Sequence, residues 1–334
     1  VTADGRLRVA QIGVSDLADL HMTAFVDNRH IAEVYLAEPE EELRRALAAR
    51  WGIVKRAVAD WRDLAAEESA DLAHLCGSLR ERVEIAGAFL AAGKSVILDA
   101  PPAARLADLD AMAQAAQSSS GRLYASLPHL MHPAVRKALE MVQDGDLGEL
   151  FLGQVAALEK PGTRAEAALS GAGFHAVAVL QRFLGPARSV VAECAAPHPL
   201  PPLPAGEGAE GSCGLTLRHG QAALSGIVVS QVAAETRPMV ERRLVGTEGM
   251  LLIRDDPEDE LPLLGFRGEE VIPIPVRQPL HVRPWYVARM LDHFVDCLLE
   301  DQDPEVTVAE ARAALTTALA ARESARTGQR VNPA

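Results

Sequence analysis

Gly13-Val14-Ser15-Asp16-Leu17-Ala18 follows an apolar run and precedes a helical stripe, the place where a dinucleotide-binding chain turns from strand into helix. Such a turn takes the pattern G-x-G-x-x-G/A. The first glycine makes the turn, the second lets backbone approach a pyrophosphate, and the third small residue lets helix and strand pack closely. Gly13 and Ala18 fit. Ser15 stands at the second glycine, where its Cβ crowds a phosphate, and Asp16 can cap the helix with its own carboxylate and fill the anion site. Glu38, at the end of the next strand, is placed to hydrogen-bond a ribose 2′-hydroxyl and to repel a 2′-phosphate, which favours NAD over NADP. The same residues also describe an ordinary strand–turn–helix closed by a capping acid, and the motif leaves both readings open.

Other reactive residues give weaker patterns. His129 and His132 are bracketed by Pro128 and Pro133 and have no acid or thiol beside them, so no metal centre is expected there. Ser170 and Ser225 lie near histidines, but no G-x-S-x-G elbow accompanies either. The run Asp255-Asp256-Pro257-Glu258-Asp259-Glu260 has the acids of a calcium loop without its glycine, and reads as a solvated turn. Trp285 and Tyr286 read as packing residues at a helix start. Lysines are scarce: Lys55, Lys94, Lys137 and Lys160 are the whole supply, the other 29 of 33 basic residues being arginine.

The elements that must position these residues alternate in the first half. Leu7–Gly13, Glu33–Ala37, Asp71–Cys76, Ser95–Leu98 and Leu123–Ala125 read as buried strands. Helices are expected around Leu17–Phe25, over Glu40–Arg50 and over Val83–Ala92, the last closed by Gly93. This alternation predicts a parallel, doubly wound α/β sheet. Beyond Gly148 the strand candidates are Phe151–Leu158, Ser189–Cys194, Gly214–Arg218, Ala223–Val229, Arg242–Val245 and Met250–Ile253, joined by turns at His219-Gly220-Gln221 and Gly246–Gly249. One helix, His175–Leu184, interrupts them, and two close the chain over 284–300 and 307–326. The Pro/Gly-rich stretch Pro197–Gly211 reads as a surface loop. The expected organisation is a dinucleotide-binding domain over 1–125 and an α+β domain with a mostly antiparallel open sheet over 126–334.

Composition excludes several classes. A chain of 334 residues has room for two domains, each with its own core. A net charge of −13 opposes nucleic-acid binding. No apolar run is long enough to span a membrane, and the first residues lead into a strand without a signal core, so a cytoplasmic protein is expected. Cys76, Cys194, Cys213 and Cys297 are scattered, which argues against a disulfide framework or a zinc cage.

Taken jointly, several segments resemble the Gfo/Idh/MocA oxidoreductases. Gly13–His21 is similar to that family's glycine loop and following histidine, and Ala37-Glu38-Pro39-Glu40 to its ribose-binding turn. Ala92–Pro101 resembles the A-G-K-H-V-x-x-E-K-P signature, and His132-Pro133-Ala134 and Gly145–Glu149 resemble the segment joining its domains. Gly246–Gly249 and Ser324–Val331 are also typical. The resemblance implies a Rossmann domain that holds NAD against Gly13, Val14, Ser15, Asp16, Leu17, Glu38, Cys76, Gly77, Asp99 and Ala100. It also implies a second domain whose open sheet makes oligomer contacts, with a second copy or with an active paralogue. The implied chemistry is hydride transfer from a sugar, cyclitol or similar polyol, with His175 taking the hydroxyl proton, a lysine stabilising the alkoxide and an aspartate orienting the substrate.

The departures fall on that chemistry. The E-K-P triplet is Asp99-Ala100-Pro101, without its lysine. Gly171 holds the aspartate's position before His175, and Ala178 the place of the acid after it. Ser78-Leu79-Arg80-Glu81-Arg82 lacks the usual histidine, and Leu130 replaces an arginine. Lys160 is a candidate replacement cation, although a solvated lysine explains it as well. Two functions follow: an NAD-dependent oxidoreductase with a substitute cation, or an inactive sensor or partner subunit on the same fold.

Overall fold

The computed structural model describes residues 2, 5–15, 17–65, 70–77, 79–159, 168–195, 211–231, 239–255, 260–277 and 282–333. The first half alternates as its apolar pattern requires: β1 (Leu7–Ile12), α1 (Ala18–Asp27), β2 (Ile31–Ala37), α2 (Glu41–Arg50), β3 (Val54–Val58), α3 (Arg62–Ala65), β4 (Leu72–Leu75), α4 (Arg82–Ala91), β5 (Ser95–Leu98), α5 (Leu106–Gln117) and β6 (Leu123–Ala125). The strands form one parallel sheet in the order β3-β2-β1-β4-β5-β6, the doubly wound arrangement. Strands β4 and β5 are buried along their whole length, as strands covered by helices on both faces must be. Arg8 pins the entry of β4 to β1: its guanidinium forms a fork on the Asp71 carboxylate at 2.9 and 3.0 Å.

A 3-10 turn (Pro128–Met131) leads into α6 (Pro133–Gln143) and β7 (Leu150–Glu159). A π turn (Leu169–Gly173) opens α7 (Phe174–Leu184). Then come β8 (Ala187–Ala195), β9 (Ser212–His219), β10 (Ala223–Gln231), β11 (Met239–Gly246), β12 (Met250–Arg254), β13 (Leu263–Arg267) and β14 (Glu270–Pro273), followed by α8 (Val282–Leu299) and α9 (Val308–Thr327). The second sheet runs β14-β13-β12-β11-β7-β10-β9-β8, antiparallel throughout except for the β7–β10 pair. Its inner face buries Val155, Ala157, Leu215, Leu217, Ile227 and Val229. Helix α7 packs on β7 and β10. Gly153 permits the close approach, since a Cβ there would meet Leu180 Cδ2 at 2.7 Å and Leu184 Cδ1 at 2.9 Å.

The chain divides into two compact units, Val1–Ser126 with Val287–Arg312, and Leu127–Tyr286 with Ala313–Ala334. Most of α8 therefore belongs with the first unit, although it follows the second in sequence. Tyr124 stacks on Phe294 with ring centroids 4.9 Å apart, Asn28 donates to Asp292 at 2.6 Å, and Arg122 donates to the Gln302 carbonyl at 2.6 Å. The last residues stay with the second unit: Ala192 N–H donates to Ser324 Oγ at 3.0 Å, and Val190 bridges Val331.

One expectation about cysteine is overturned. Cys194 and Cys213 face each other across the β8–β9 register and form a disulfide. Their separation in sequence hides a pairing that the hairpin-like register creates. Cys76 and Cys297 remain free and buried.

Candidate functional site

In the first unit the turn after β1 is shaped by close approach to the end of β4. Gly13 has φ +76°, and a Cβ on it would lie 2.6 Å from the Cys76 carbonyl oxygen, so only glycine fits. Val14 is buried against Leu36 and Leu47 and anchors the turn. Ser15 Oγ accepts the Leu17 N–H at 3.2 Å, satisfying one of the amides that a dinucleotide-binding loop turns toward phosphate. Asp16 lies outside the described residues. Glu38 is buried, and its carboxylate accepts the Glu40 N–H at 3.0 Å. Gly77, at φ +72°, turns the chain away from β4. The glycine turn and the sheet order fit a dinucleotide, while the Ser15 side chain narrows the loop.

Behind this turn the structure gathers a set of side chains that the strand pattern conceals. His21 from α1, His74 from β4, Cys76 just after β4 and Asp99 just after β5 are all buried, and Cys76 Sγ lies 3.5 Å from His21 Nδ1 and 3.6 Å from Asp99 Oδ2. Burial pushes His74 down to about 3 and lowers His21, so both rings are neutral, and burial raises the Cys76 thiol. Ala100 N–H donates to Asp99 Oδ1 at 3.0 Å. Arg82, at the start of α4, donates to the Asp99 and Pro101 carbonyls, each at 2.6 Å, and holds the loop around Ala100. Lys94 is tied to the Leu64 and Ala65 carbonyls at 3.2 Å.

In the second unit, His175 sits in the first turn of α7, just after the π turn that contains Gly171. Its ring lies 4.5 Å from that of His129 in the 3-10 turn, and Tyr286 flanks His129 at 5.2 Å. Arg242 Nη2 donates to His129 Nδ1 at 3.0 Å and lies 3.6 Å from Asp255 Oδ2. His132 caps α6: its Nδ1 accepts the Ala134 N–H at 3.2 Å, which puts the ring proton on Nε2, 3.3 Å from Asp255 Oδ1. Burial works against the Asp255 charge. The His132 hydrogen bond and the nearby Arg242 and His129 outweigh it, and hold the carboxyl well below the usual carboxylate range.

Two expectations fail here. An acid does accompany the His129/His132 pair, and the first residue of the Asp255–Glu260 run is a partly buried anchor, its side chain 10% exposed, instead of part of a solvated turn. Residues 256–259 lie outside the described residues, as does Lys160, so the candidate cation from sequence has no placement. The structure offers Arg242 instead. It is 3% exposed, and its Nε and Nη1 have no hydrogen-bond partner among the described residues. His129, Ala172, His175, Val240 and Arg242 line a small recess, together with Val155, Ala157 and Ala176. It holds about one water-sized group.

Ser225 does meet a histidine: its hydroxyl lies 2.8 Å from His219 Nε2, and His219 Nδ1 reaches the Gly185 carbonyl at 2.7 Å. Both residues are buried, and the link ties the end of α7 to the sheet.

Comparison with known proteins accords with this architecture. A family model described as the oxidoreductase family's NAD-binding Rossmann fold matches residues 7–126, and one for the same family's C-terminal alpha/beta domain matches 140–332. The chain belongs to the Gfo/Idh/MocA oxidoreductase family. A levoglucosan dehydrogenase solved with NADH and levoglucosan is similar over 98% of this chain and 99% of its own, at a TM-score of 0.86 and 18% identity. The WlbA dehydrogenase of Bordetella pertussis, solved with NADH and UDP-GlcNAcA, is similar over 99% of both chains, at 0.81 and 19%. An Agrobacterium radiobacter oxidoreductase solved with NAD+, L-tartaric acid and magnesium is similar over 98% of both chains, at 0.83 and 18%. At these identities the likeness concerns the fold. The dehydrogenase aclE of Aspergillus oryzae is 29% identical over 133 residues, which span 40% of this chain and only 36% of that protein. No helix among the described residues is long and apolar enough to cross a membrane.

Proposed function

We propose that this chain is an NAD-dependent oxidoreductase acting on a hydroxyl group of a sugar, cyclitol or related polyol, with His175 as proton acceptor and Arg242 as the cation that replaces the family's lysine. The supporting observation is that His175 and Arg242 line one recess while two nitrogens of Arg242 have no hydrogen-bond partner among the described residues. A bound nicotinamide would accept the hydride of the C–H bond as the carbonyl forms, and His175 would take the proton of the broken O–H bond. Arg242 and His129 hydrogen-bond the oxygen on which charge develops, and Asp255 keeps the guanidinium aimed. A positioned charge of this kind contributes about 3–4 kcal/mol to a transition state, and a general base roughly 10²–10⁴ in rate. Gly13, Gly77 and Glu38 would hold the cofactor, with Glu38 selecting NAD over NADP.

A second reading, a nucleotide- or sugar-binding subunit without turnover, draws on Ala100, Gly171 and the Ser15 hydroxyl on the Leu17 amide. Calorimetry with NAD and NADP, followed by a polyol panel read as NADH formation, separates the two. The enzyme reading expects NAD heat that Glu38→Ala weakens about tenfold, as losing a charge-assisted hydrogen bond would, and turnover that His175→Ala removes. Cofactor binding without turnover on any polyol supports the binding subunit, and no heat at millimolar cofactor defeats both. The outer face of the second sheet exposes Val191, Leu224, Val228 and Met239. A second copy of the chain is the proposed cover, which light scattering after gel filtration tests.

A further inference from the structure

We propose that His21, His74, Cys76 and Asp99 form a structural zinc site beneath the glycine turn. This inference is independent of the oxidoreductase reading. These are the residue types that zinc takes, they come from three different elements, and each is at most 7% exposed. Ligand atoms of His21, His74 and Cys76 all lie within 4.8 Å of one another.

The spacing is that of a coordination shell. With Zn–N near 2.0–2.1 Å and Zn–S near 2.3 Å, the edge of a tetrahedron between sulfur and nitrogen is about 3.5 Å. Cys76 Sγ lies 3.5 Å from His21 Nδ1, 3.6 and 3.7 Å from the Nδ1 and Nε2 of His74, and 3.6 Å from Asp99 Oδ2. A second layer fixes the donors. Gln11 Nε2 donates to the Gly13 carbonyl at 2.8 Å, which turns its Oε1 toward His74 Nδ1, also at 2.8 Å. His74 must then carry its proton on Nδ1, leaving the Nε2 lone pair for a metal, the arrangement by which an outer amide orients a ligating imidazole. The Ala100 N–H plays the same part for Asp99.

Binding displaces the thiol proton to solvent as the S–Zn bond forms, and thiolate plus carboxylate balance the dication. Zinc is the metal of choice for two imidazoles, one thiolate and one carboxylate in a closed site. Closing the site would tie α1 to the C-terminal ends of β4 and β5.

The test uses the full chain, purified under reducing conditions, stripped with chelator and reloaded with zinc alone. Metal analysis is expected to give about one zinc per chain, and cobalt in its place to give a thiolate-to-cobalt charge-transfer band with intense tetrahedral d–d bands. Cys76→Ser should abolish the charge-transfer band and weaken zinc binding by more than the roughly 10–100-fold expected for Gln11→Ala. Cys297→Ser, at the other free buried thiol, should change neither. Circular dichroism of each stripped variant checks folding, and Gln11→Ala keeps all four ligands should Cys76→Ser fail to fold. Substoichiometric zinc in the reloaded wild type overturns the proposal. So does binding unaffected by both Cys76→Ser and Gln11→Ala, which would mean adventitious binding elsewhere.

Discussion

Replacing Asp255 with asparagine keeps its shape and removes its charge, leaving the Arg242 guanidinium buried beside two histidines without its anion. Breaking a buried pair from one side costs about 3–5 kcal/mol, because the remaining charge has lost its water and gains nothing in return. A unit of this size shifts its midpoint by about 2–4 °C per kcal/mol, so Asp255→Asn should melt roughly 10 °C below wild type at pH 7. Removing the charge on the other side restores balance: Arg242→Met with Asp255→Asn should recover most of the loss, giving a coupling of about 2 kcal/mol or more in a double-mutant cycle. The pH dependence has a definite sign. The folded-state pKa of Asp255 is depressed, so its contribution is complete above the unfolded carboxylate value near 4 and fades as pH falls below it. The gap between wild type and Asp255→Asn should therefore be flat from about pH 5 to 8 and close below about pH 4. Thermal melts across that range measure it. A gap under about 0.5 kcal/mol at pH 7, or a double variant that merely adds the two single losses, would refute the reasoning.

Two further outcomes follow from the geometry. Gly13→Ala places a Cβ 2.6 Å from the Cys76 carbonyl at a positive φ and should cost about 2 kcal/mol or more in urea unfolding, with loss of the heat of NAD binding. Ala100→Lys combined with Gly171→Asp rebuilds the family's charged set and should raise turnover on a responsive polyol by roughly 10²-fold, read as NADH formation; a flat response moves the weight to the non-catalytic reading.

Sequence reveals most where one physical demand acts alone. Strands β1, β4 and β5 are legible because burial on both faces keeps them largely apolar, broken by Arg8 and Gln11 in β1 and His74 in β4. Strand β3 is not: it is the sheet edge, and Lys55 and Arg56 on its exposed positions erase the signal. Strand β14 is an edge of the second sheet and exposed throughout, and β13 beside it is short. Helix α5 carries no side-chain cap and passes unnoticed, while α6 passes unnoticed although His132 caps it and Pro133 opens it. At the site, His175 is legible only through its family context. Arg242 is hidden because an arginine on a sheet strand ordinarily faces solvent, and Asp255 because it begins an acidic run whose other members look solvated. His74 and Cys76 did leave a trace: two metal-ligating types alternate along a strand that is otherwise wholly apolar, and that alternation puts both on one side of the chain.

Arg242 also bears on which hydroxyl compound the recess takes. Exchanging a buried ion pair for apolar residues of similar volume is often neutral or stabilising by about 1–4 kcal/mol, so fold stability alone gives little reason to keep the pair. What it retains is a guanidinium whose Nη2 is committed to His129 and Asp255 while Nε and Nη1 remain without partners among the described residues. Those free donors suit an oxygen that carries charge. A neutral polyol offers one only as the alkoxide forms, but a sugar acid offers a carboxylate from the outset and gains a charge-assisted hydrogen bond of about 1.5–3 kcal/mol. Aldonates or uronates should therefore show KM values roughly 10–100-fold below those of the matching neutral polyols, and Arg242→Met with Asp255→Asn, which keeps the packing, should erase the difference. Equal KM values for acid and neutral substrates in the wild type would confine Arg242 to the developing alkoxide.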